Sequence, residues 1–263
     1  MDRDGAMIIP EILGNGDNET PISFGAGVNS TAMTIMLVNQ GWHGDVVFAD
    51  TGAEWPETYC FIDYFEQDWL RPRALGVTRL GPEYRKDKRA RQVASLIEFC
   101  EHYAMLPLAA VRWCTTLFKV EPLQGYHGGE ALIGFAADEA HRAKGRRAPL
   151  IEAGITRKGC IEIIRAEGLD VPQKSGCYIC PFQRNDQWHE LWHRHPDLIE
   201  RAPKLEELAD ARRRLKGQTW GATLDPHGKI SVHQRIYAYE HQIELPGIDM
   251  DDLLRFKPCV CGL

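Results

Sequence analysis

The sequence predicts an α/β fold: a mostly parallel sheet with helices on both faces, followed by a helical C-terminal part that carries a cysteine-bearing loop. Three observations predict it. Strand-length apolar runs alternate with helix-length periodic stretches from residue 21 to about residue 140. Two of those runs end in polar, small-residue turns, which is how open parallel sheets build a ligand crevice at the C-terminal ends of their strands. Beyond residue 157 the strand signal gives way to helical patterns and paired cysteines.

Residues 1–20, rich in Gly, Asn and Asp, read as a flexible lead-in. Ile22–Phe24 is the first strand. Gly25-Ala26-Gly27 follows, and Ser30-Thr31 opens an apolar-periodic helix through Ala32, Met33, Ile35, Met36 and Val38. Small residues let the backbone approach a ligand closely. The helix start adds unpaired N–H donors and the positive end of a dipole, so phosphate or sulfate is the expected guest, with a plain strand-to-helix turn as the alternative. Asp45–Ala49 is the second strand and delivers the turn Asp50-Thr51-Gly52-Ala53-Glu54, after which Pro56 sits where a helix begins. Gly76–Leu80 and Ala131–Ala136 complete the sheet.

Farther along, residues 157–168 form a helix with Ile161, Ile163 and Ile164 on its apolar face, halted at Gly168. Gln173–Phe182 is the cysteine loop. Helices follow at about 184–195 and 196–215, and another near His233–His241, before the closing Cys-Val-Cys-Gly-Leu. The expected division is a lead-in over 1–20, a nucleotide-binding α/β domain over 21–156 and a helical region over 157–263.

At 263 residues, with 44% hydrophobic and 26% charged side chains, the chain has the composition of an ordinary soluble protein with a sizeable core. No apolar run approaches the roughly 18 residues of a membrane span, and no secretion signal is visible, so a cytoplasmic protein is expected. The net charge of −6 argues against a broad nucleic-acid surface. Basic clusters at Arg85–Arg91, Arg142–Arg147 and Arg212–Arg214 read as solvated faces, with Arg142–Arg147 the best placed to meet an anion because it follows a strand end. Eight cysteines without a secretion signal point to metal or redox chemistry more than to disulfides.

The loop at 23–31, Asp50-Thr51-Gly52 and Pro56-Glu57-Thr58 resemble the PP-loop superfamily of adenine nucleotide alpha-hydrolases, and within it the phosphoadenosine phosphosulfate (PAPS) reductase family. Two more blocks extend the likeness. Arg112-Trp113-Cys114-Thr115 with Lys119 and Pro122-Leu123 resembles the cysteine segment of adenylyl sulfate reductases. Gly134-Phe135-Ala136-Ala137-Asp138-Glu139 with Arg142 resembles the family's Asp-Glu strand end. The resemblance spans roughly residues 20 to 183 in consistent order. It implies a PP-loop, Rossmann-like domain, an adenine nucleotide as substrate and a place in sulfur metabolism.

Ser175-Gly176-Cys177-Tyr178-Ile179-Cys180-Pro181-Phe182 is the sharpest metal signal. Two thiolates three residues apart can share one centre, and more ligands must come from elsewhere. The resemblance makes Cys114 the third, although the reductases carry adjacent cysteines where this chain has Trp113-Cys114. Cys160 is the expected fourth because its helix leads into the loop, with Cys259 or Cys261 as the alternative. A [4Fe-4S] cluster is the expected cofactor, structural zinc the alternative, and a thioredoxin-like redox pair or ordinary buried cysteines stand behind both. Cys261-Gly262-Leu263 resembles the end of PAPS reductases, whose cysteine attacks sulfur, but lacks the final His; a fourth cluster ligand or a bare tail are the other readings. His189, His193 and His195 match no metal spacing, and Trp188, Leu191, Trp192 and Leu198 read as helix-packing residues.

The loop's polar groups fall into roles. Gly25, Ala26 and Gly27 cradle phosphate or sulfate; Ser23, Ser30 and Thr31 add hydroxyls; Asp50 and Glu54 face ribose or a magnesium ion, with Asn29, Thr51 and Gly52 also in the nucleotide site. Gly134 and Asp138 complete the nucleotide site, and Lys119 and Arg142 oppose an anionic leaving group. ATP-splitting members of the superfamily carry a carboxylate where this chain has Asn29, which removes a metal ligand and favours reductive attack on an adenylyl sulfate. Such a reductase takes electrons from a thioredoxin- or glutaredoxin-like partner. The competing reading is ATP-activated sulfur transfer to DNA or tRNA, with a cysteine desulfurase as donor. A third is a non-catalytic nucleotide-binding subunit. A homodimer is compatible with each.

Overall fold

In the computed structural model, which describes residues 10–13, 17–218 and 222–243, strand and helix alternate from residue 22. Strand β1 (Ile22–Ser23) leads into helix α1 (Val28–Asn39), and β2 (Val46–Ala49) into α2 (Pro56–Phe65). After β3 (Val77–Leu80) come the short helices α3 (Lys88–Arg91), α4 (Leu96–Tyr103), α5 (Trp113–Thr115) and α6 (Glu121–His127). Then follow β4 (Leu132–Ile133), α7 (Pro149–Glu152) and α8 (Arg157–Ala166). Four more helices are α9 (Asn185–Arg194), α10 (Pro196–Ile199), α11 (Arg201–Leu215) and α12 (Val232–His241). None of the described helices is long and apolar enough to cross a membrane.

The sheet is all-parallel, in the order β3-β2-β1-β4, with Ile22 opposite both Val46 and Leu132. Every residue of β2 is buried, as a strand covered on both faces requires. The order runs outward from β1 to β3 and then returns to the other side of β1 with β4. That reversal puts a topological switch point at the C-terminal ends of β1 and β4, the place where α/β sheets bind ligands.

Three boundaries differ from the sequence pattern, each for a local reason. The fourth strand stops at Ile133 instead of continuing to Ala136, because Phe135 N–H turns back to the Ile133 carbonyl at 2.9 Å and bends the chain out of the ladder. The helix expected over 196–215 is two helices: the Pro203 ring opposes the Ile199 carbonyl four residues earlier, so α10 ends and α11 restarts with Pro203 in its first turn. Helix α8 ends at Ala166, with Gly168 at φ +74° in the left-handed position that closes helices.

The chain forms two compact units, each discontinuous in sequence. Among the described residues, the first comprises 10–13, 17–50, 54–86 and 119–175, and holds the sheet. Its core gathers Ile22, Met33, Ile35, Phe48, Phe65 and Leu132 with Cys160, Ile163 and Ile164 of α8. Helix α8 packs along α1 within this unit. Among the described residues, the second unit comprises 51–53, 87–118, 176–218 and 222–243. Phe99 centres its aromatic core, 5.3 Å from Trp113 and 5.6 Å from Phe118. Buried Glu206 on α11 accepts the N–H groups of Leu224 and Val232 at 2.7 and 2.9 Å, and burial pushes its carboxyl up to about 7. Trp188 and Leu191 are buried, and His189 meets the Tyr239 ring edge-on.

Candidate nucleotide site and cysteine loop

The loop after β1 turns through Ala26, which is buried and sits at φ +53°, a left-handed conformation uncommon for a residue with a Cβ. Such turns point successive N–H groups into one concavity. Here Ser30 Oγ already occupies part of it, accepting from Gly25 N at 3.2 Å and Gly27 N at 3.3 Å. A guest anion must compete with this hydroxyl for those two donors. Thr31 instead returns its hydroxyl to the Gly27 carbonyl, which makes it a brace for the turn. Two glycines stand at close approaches, and space demands the first. A Cβ on Gly134 would lie 2.8 Å from Ser30 Cα and 2.9 Å from Ser30 N, so the end of β4 and the start of α1 touch backbone to backbone. A Cβ on Gly27 would lie 3.0 Å from Ser175 Oγ, placing the hydroxyl that opens the cysteine motif beside the loop.

Asn29, nine-tenths buried in the first turn of α1, is held from two sides. Its Nδ2 donates to Glu139 Oε2 at 2.9 Å, and its Oδ1 accepts from Arg157 Nη1 at 3.4 Å. Arg142 forms an ion pair with Glu139, and its guanidinium lies 4.8 Å from the centre of the Phe135 ring. Asp138 accepts the Arg157 N–H at 3.1 Å and so caps α8. The structure therefore brings Gly25–Thr31, Gly134, Asp138 and Arg142 together at the switch point, with Glu139 and Arg157 as members the sequence pattern left unassigned. Ser23 lies in β1, immediately before this turn.

At the end of β2, Asp50 accepts a 2.7 Å hydrogen bond from the Tyr59 hydroxyl, and burial together with that carboxylate pushes the phenol well above its ordinary range. Arg85, almost fully buried, donates to the Asp50 carbonyl at 3.4 Å. Glu54 is buried and ion-paired with Lys119 at 2.8 Å. Lys119 thus already has a carboxylate against it.

Thr51 and Gly52 belong to the second unit, with the cysteines. Thr51 Oγ1 lies 3.3 Å from Cys177 Sγ, and Ala53 accepts the Tyr178 N–H at 2.9 Å. Gly52, at φ +65°, leaves no room for a side chain against Ser95. Cys177 and Cys180 lie in a turn closed by Cys180 N–H to the Cys177 carbonyl at 3.0 Å, and no helix begins before Asn185. Cys114 is in the same unit and near enough to Cys180 that, after burial, the Cys180 charge is the next cause raising its thiol. Cys100, an isolated helix position in the sequence, feels Cys114 in the same way. Cys160 belongs to the sheet unit's hydrophobic core, where burial pushes its thiol up to about 12. Cys259 and Cys261 lie outside the described residues. The thiols of Cys114, Cys177 and Cys180 match the donor chemistry of an iron–sulfur or zinc centre. Among the described residues no group of three or more His, Cys, Asp and Glu is gathered closely enough to hold a metal ion.

Residues 19–150, half of the chain, match the phosphoadenosine phosphosulfate reductase domain. The chain belongs to that family. The match covers β1, the phosphate loop, Asp50, Glu54, Cys114, Lys119 and Gly134–Arg142, and stops before Arg157, Cys160, Ser175 and the Cys177–Cys180 turn. Among curated proteins none matches the chain.

Proposed function

We propose that the chain is an adenine-nucleotide-dependent iron–sulfur enzyme of the PAPS reductase type, in which a thiolate attacks the sulfur of an adenylyl sulfate. The observation that carries this reading is Asn29. In a phosphate loop of this family, the residue at the helix start is a neutral amide whose Nδ2 is committed to Glu139. A loop that splits pyrophosphate with magnesium needs a carboxylate there.

In the proposed step a cysteine thiolate, Cys261 by its resemblance to the family's C-terminus, attacks the sulfuryl sulfur. The sulfur–oxygen bond breaks and its electron pair leaves with the nucleotide phosphate, giving an S-sulfonated cysteine. A dithiol protein of thioredoxin or glutaredoxin type then attacks the cysteine sulfur, expelling sulfite, and its second thiol resolves the mixed disulfide. Two electrons pass from the dithiol to the sulfuryl group, and the thiol protons go to solvent. The α1 N-terminus and the loop N–H groups hold the anionic end of the nucleotide, while Arg142 and Lys119 can turn from Glu139 and Glu54 towards charge developing on the leaving phosphate. Cys114, Cys177 and Cys180 would hold the cluster, which supplies a redox-active, polarising centre when bound.

Calorimetry with and without chelator tests the reading. The wild type should bind PAPS or adenylyl sulfate equally well in EDTA and in magnesium. Binding of ATP alone, and only with magnesium, would favour sulfur transfer to nucleic acid instead.

A further inference from the structure

We propose that Arg157 is an anion-binding residue of the phosphate loop, the guanidinium that receives the phosphate or phosphosulfate group of the nucleotide. This rests on the reading above that the loop takes an adenine nucleotide, and it assigns a residue beyond the stretch that matches the family.

The other two cations assigned to this chemistry are already neutralised. Arg142 is paired with Glu139, and Lys119 with Glu54. Arg157 differs from both. Among the described residues its side chain has one hydrogen-bond partner, the Asn29 amide oxygen, and no carboxylate within ion-pair distance. A guanidinium has five N–H donors, and one donated to a neutral amide leaves its charge and its fork available.

Its position is fixed from both ends. The Arg157 N–H is bound by Asp138, which belongs to the segment after β4, and its head is bound by Asn29 in the first turn of α1. Asn29 is buried and anchored by Glu139, so it acts as a rigid peg that holds the guanidinium at the helix start. That end of α1 already carries the positive end of the dipole and first-turn N–H groups with no intrahelical acceptor. Adding an unneutralised guanidinium there serves an anion, and its forked donors match two oxygens of a phosphate or sulfate. Asn29 is on this account a positioning residue for Arg157. Its amide, in place of a carboxylate, is what keeps the guanidinium unneutralised.

The test compares wild type, Arg157→Ala and Arg157→Lys by titration calorimetry with adenosine, AMP, adenylyl sulfate and PAPS. Arg157 lies on the exposed first turn of α8, and circular dichroism checks that the fold is kept. Arg157→Ala should weaken binding of the three anionic ligands by roughly tenfold to a hundredfold, the scale of a charged hydrogen bond, and leave adenosine unchanged. Arg157→Lys should fall between, since it keeps the charge and loses the fork. Unchanged affinity for every anionic ligand in Arg157→Ala, or an equal loss for adenosine, overturns the proposal. Sulfate and pyrophosphate, read by thermal shift, separate the two readings. If the wild type binds these anions but no nucleotide, and Arg157→Ala loses them, the nucleotide reading fails and the anion site stands. If the wild type binds neither nucleotides nor these anions, both fail.

Discussion

Asn29 links two oppositely charged side chains at the start of α1. Its amide bridges a carboxylate and a guanidinium, donating to Glu139 and accepting from Arg157. A carboxylate in its place would face Glu139 across 2.9 Å with like charge, and would pair with Arg157 directly. Asn29→Asp should therefore weaken PAPS binding about tenfold or more in calorimetry, the scale of one charged hydrogen bond. Adding Glu139→Gln should recover part of that affinity by removing the repulsion, a non-additive cycle that a purely independent pair of sites would not give. The sequence alone made Asn29 legible as a missing metal ligand. It could not reveal the bridge, because Glu139 and Arg157 are more than a hundred residues away along the chain. The same limit hid the approach of Ser175 to the Gly27 backbone.

The elements were legible where period and punctuation agreed. β1, β2 and β3 lie within the expected runs, and α1 begins beside Ser30-Thr31 as the small-residue turn implies. What escaped was tertiary. The end of β4 bends at Phe135, and α8 leaves the C-terminal helices to pack on α1, because its apolar face (Cys160, Ile163, Ile164) completes the sheet unit's core. The approach of β4 to α1 yields a sharp expectation. Gly134→Ala would drive a methyl to within 2.8 Å of Ser30 Cα, where only backbone can give way. It should lower stability by about 1–3 kcal/mol, as overpacking does, and weaken nucleotide binding by displacing the first turn of α1. Thermal unfolding and calorimetry on the same preparation read both effects; an unshifted midpoint would show that the two elements are not locked together.

At the scale of the molecule, the loop after β1 with Asn29, Glu139 and Arg157 lies in the sheet unit, while Cys114, Cys177 and Cys180 share the second unit with Thr51 and Gly52. Thr51, expected at the nucleotide, also lies 3.3 Å from Cys177, so the turn after β2 reaches the cysteine turn. Anaerobically prepared protein should contain iron and sulfide and absorb broadly in the visible. Cys177→Ser should lose that iron, and Cys60→Ser, on an exposed face of α2, should keep it. Stoichiometric zinc without sulfide would replace the cluster by a zinc site. Parallel substitutions at Cys100, Cys160, Cys259 and Cys261 identify the fourth thiolate. The most direct measurement is sulfite release from PAPS and from adenylyl sulfate, with a dithiol reductant, by wild type and Cys261→Ser. The proposed function requires sulfite from one of the two nucleotides in the wild type, and none from Cys261→Ser although it still binds nucleotide, since a hydroxyl does not replace a thiolate in attack on sulfur. No sulfite from either nucleotide, with ATP consumed in the presence of DNA or tRNA and a sulfur donor, would contradict it.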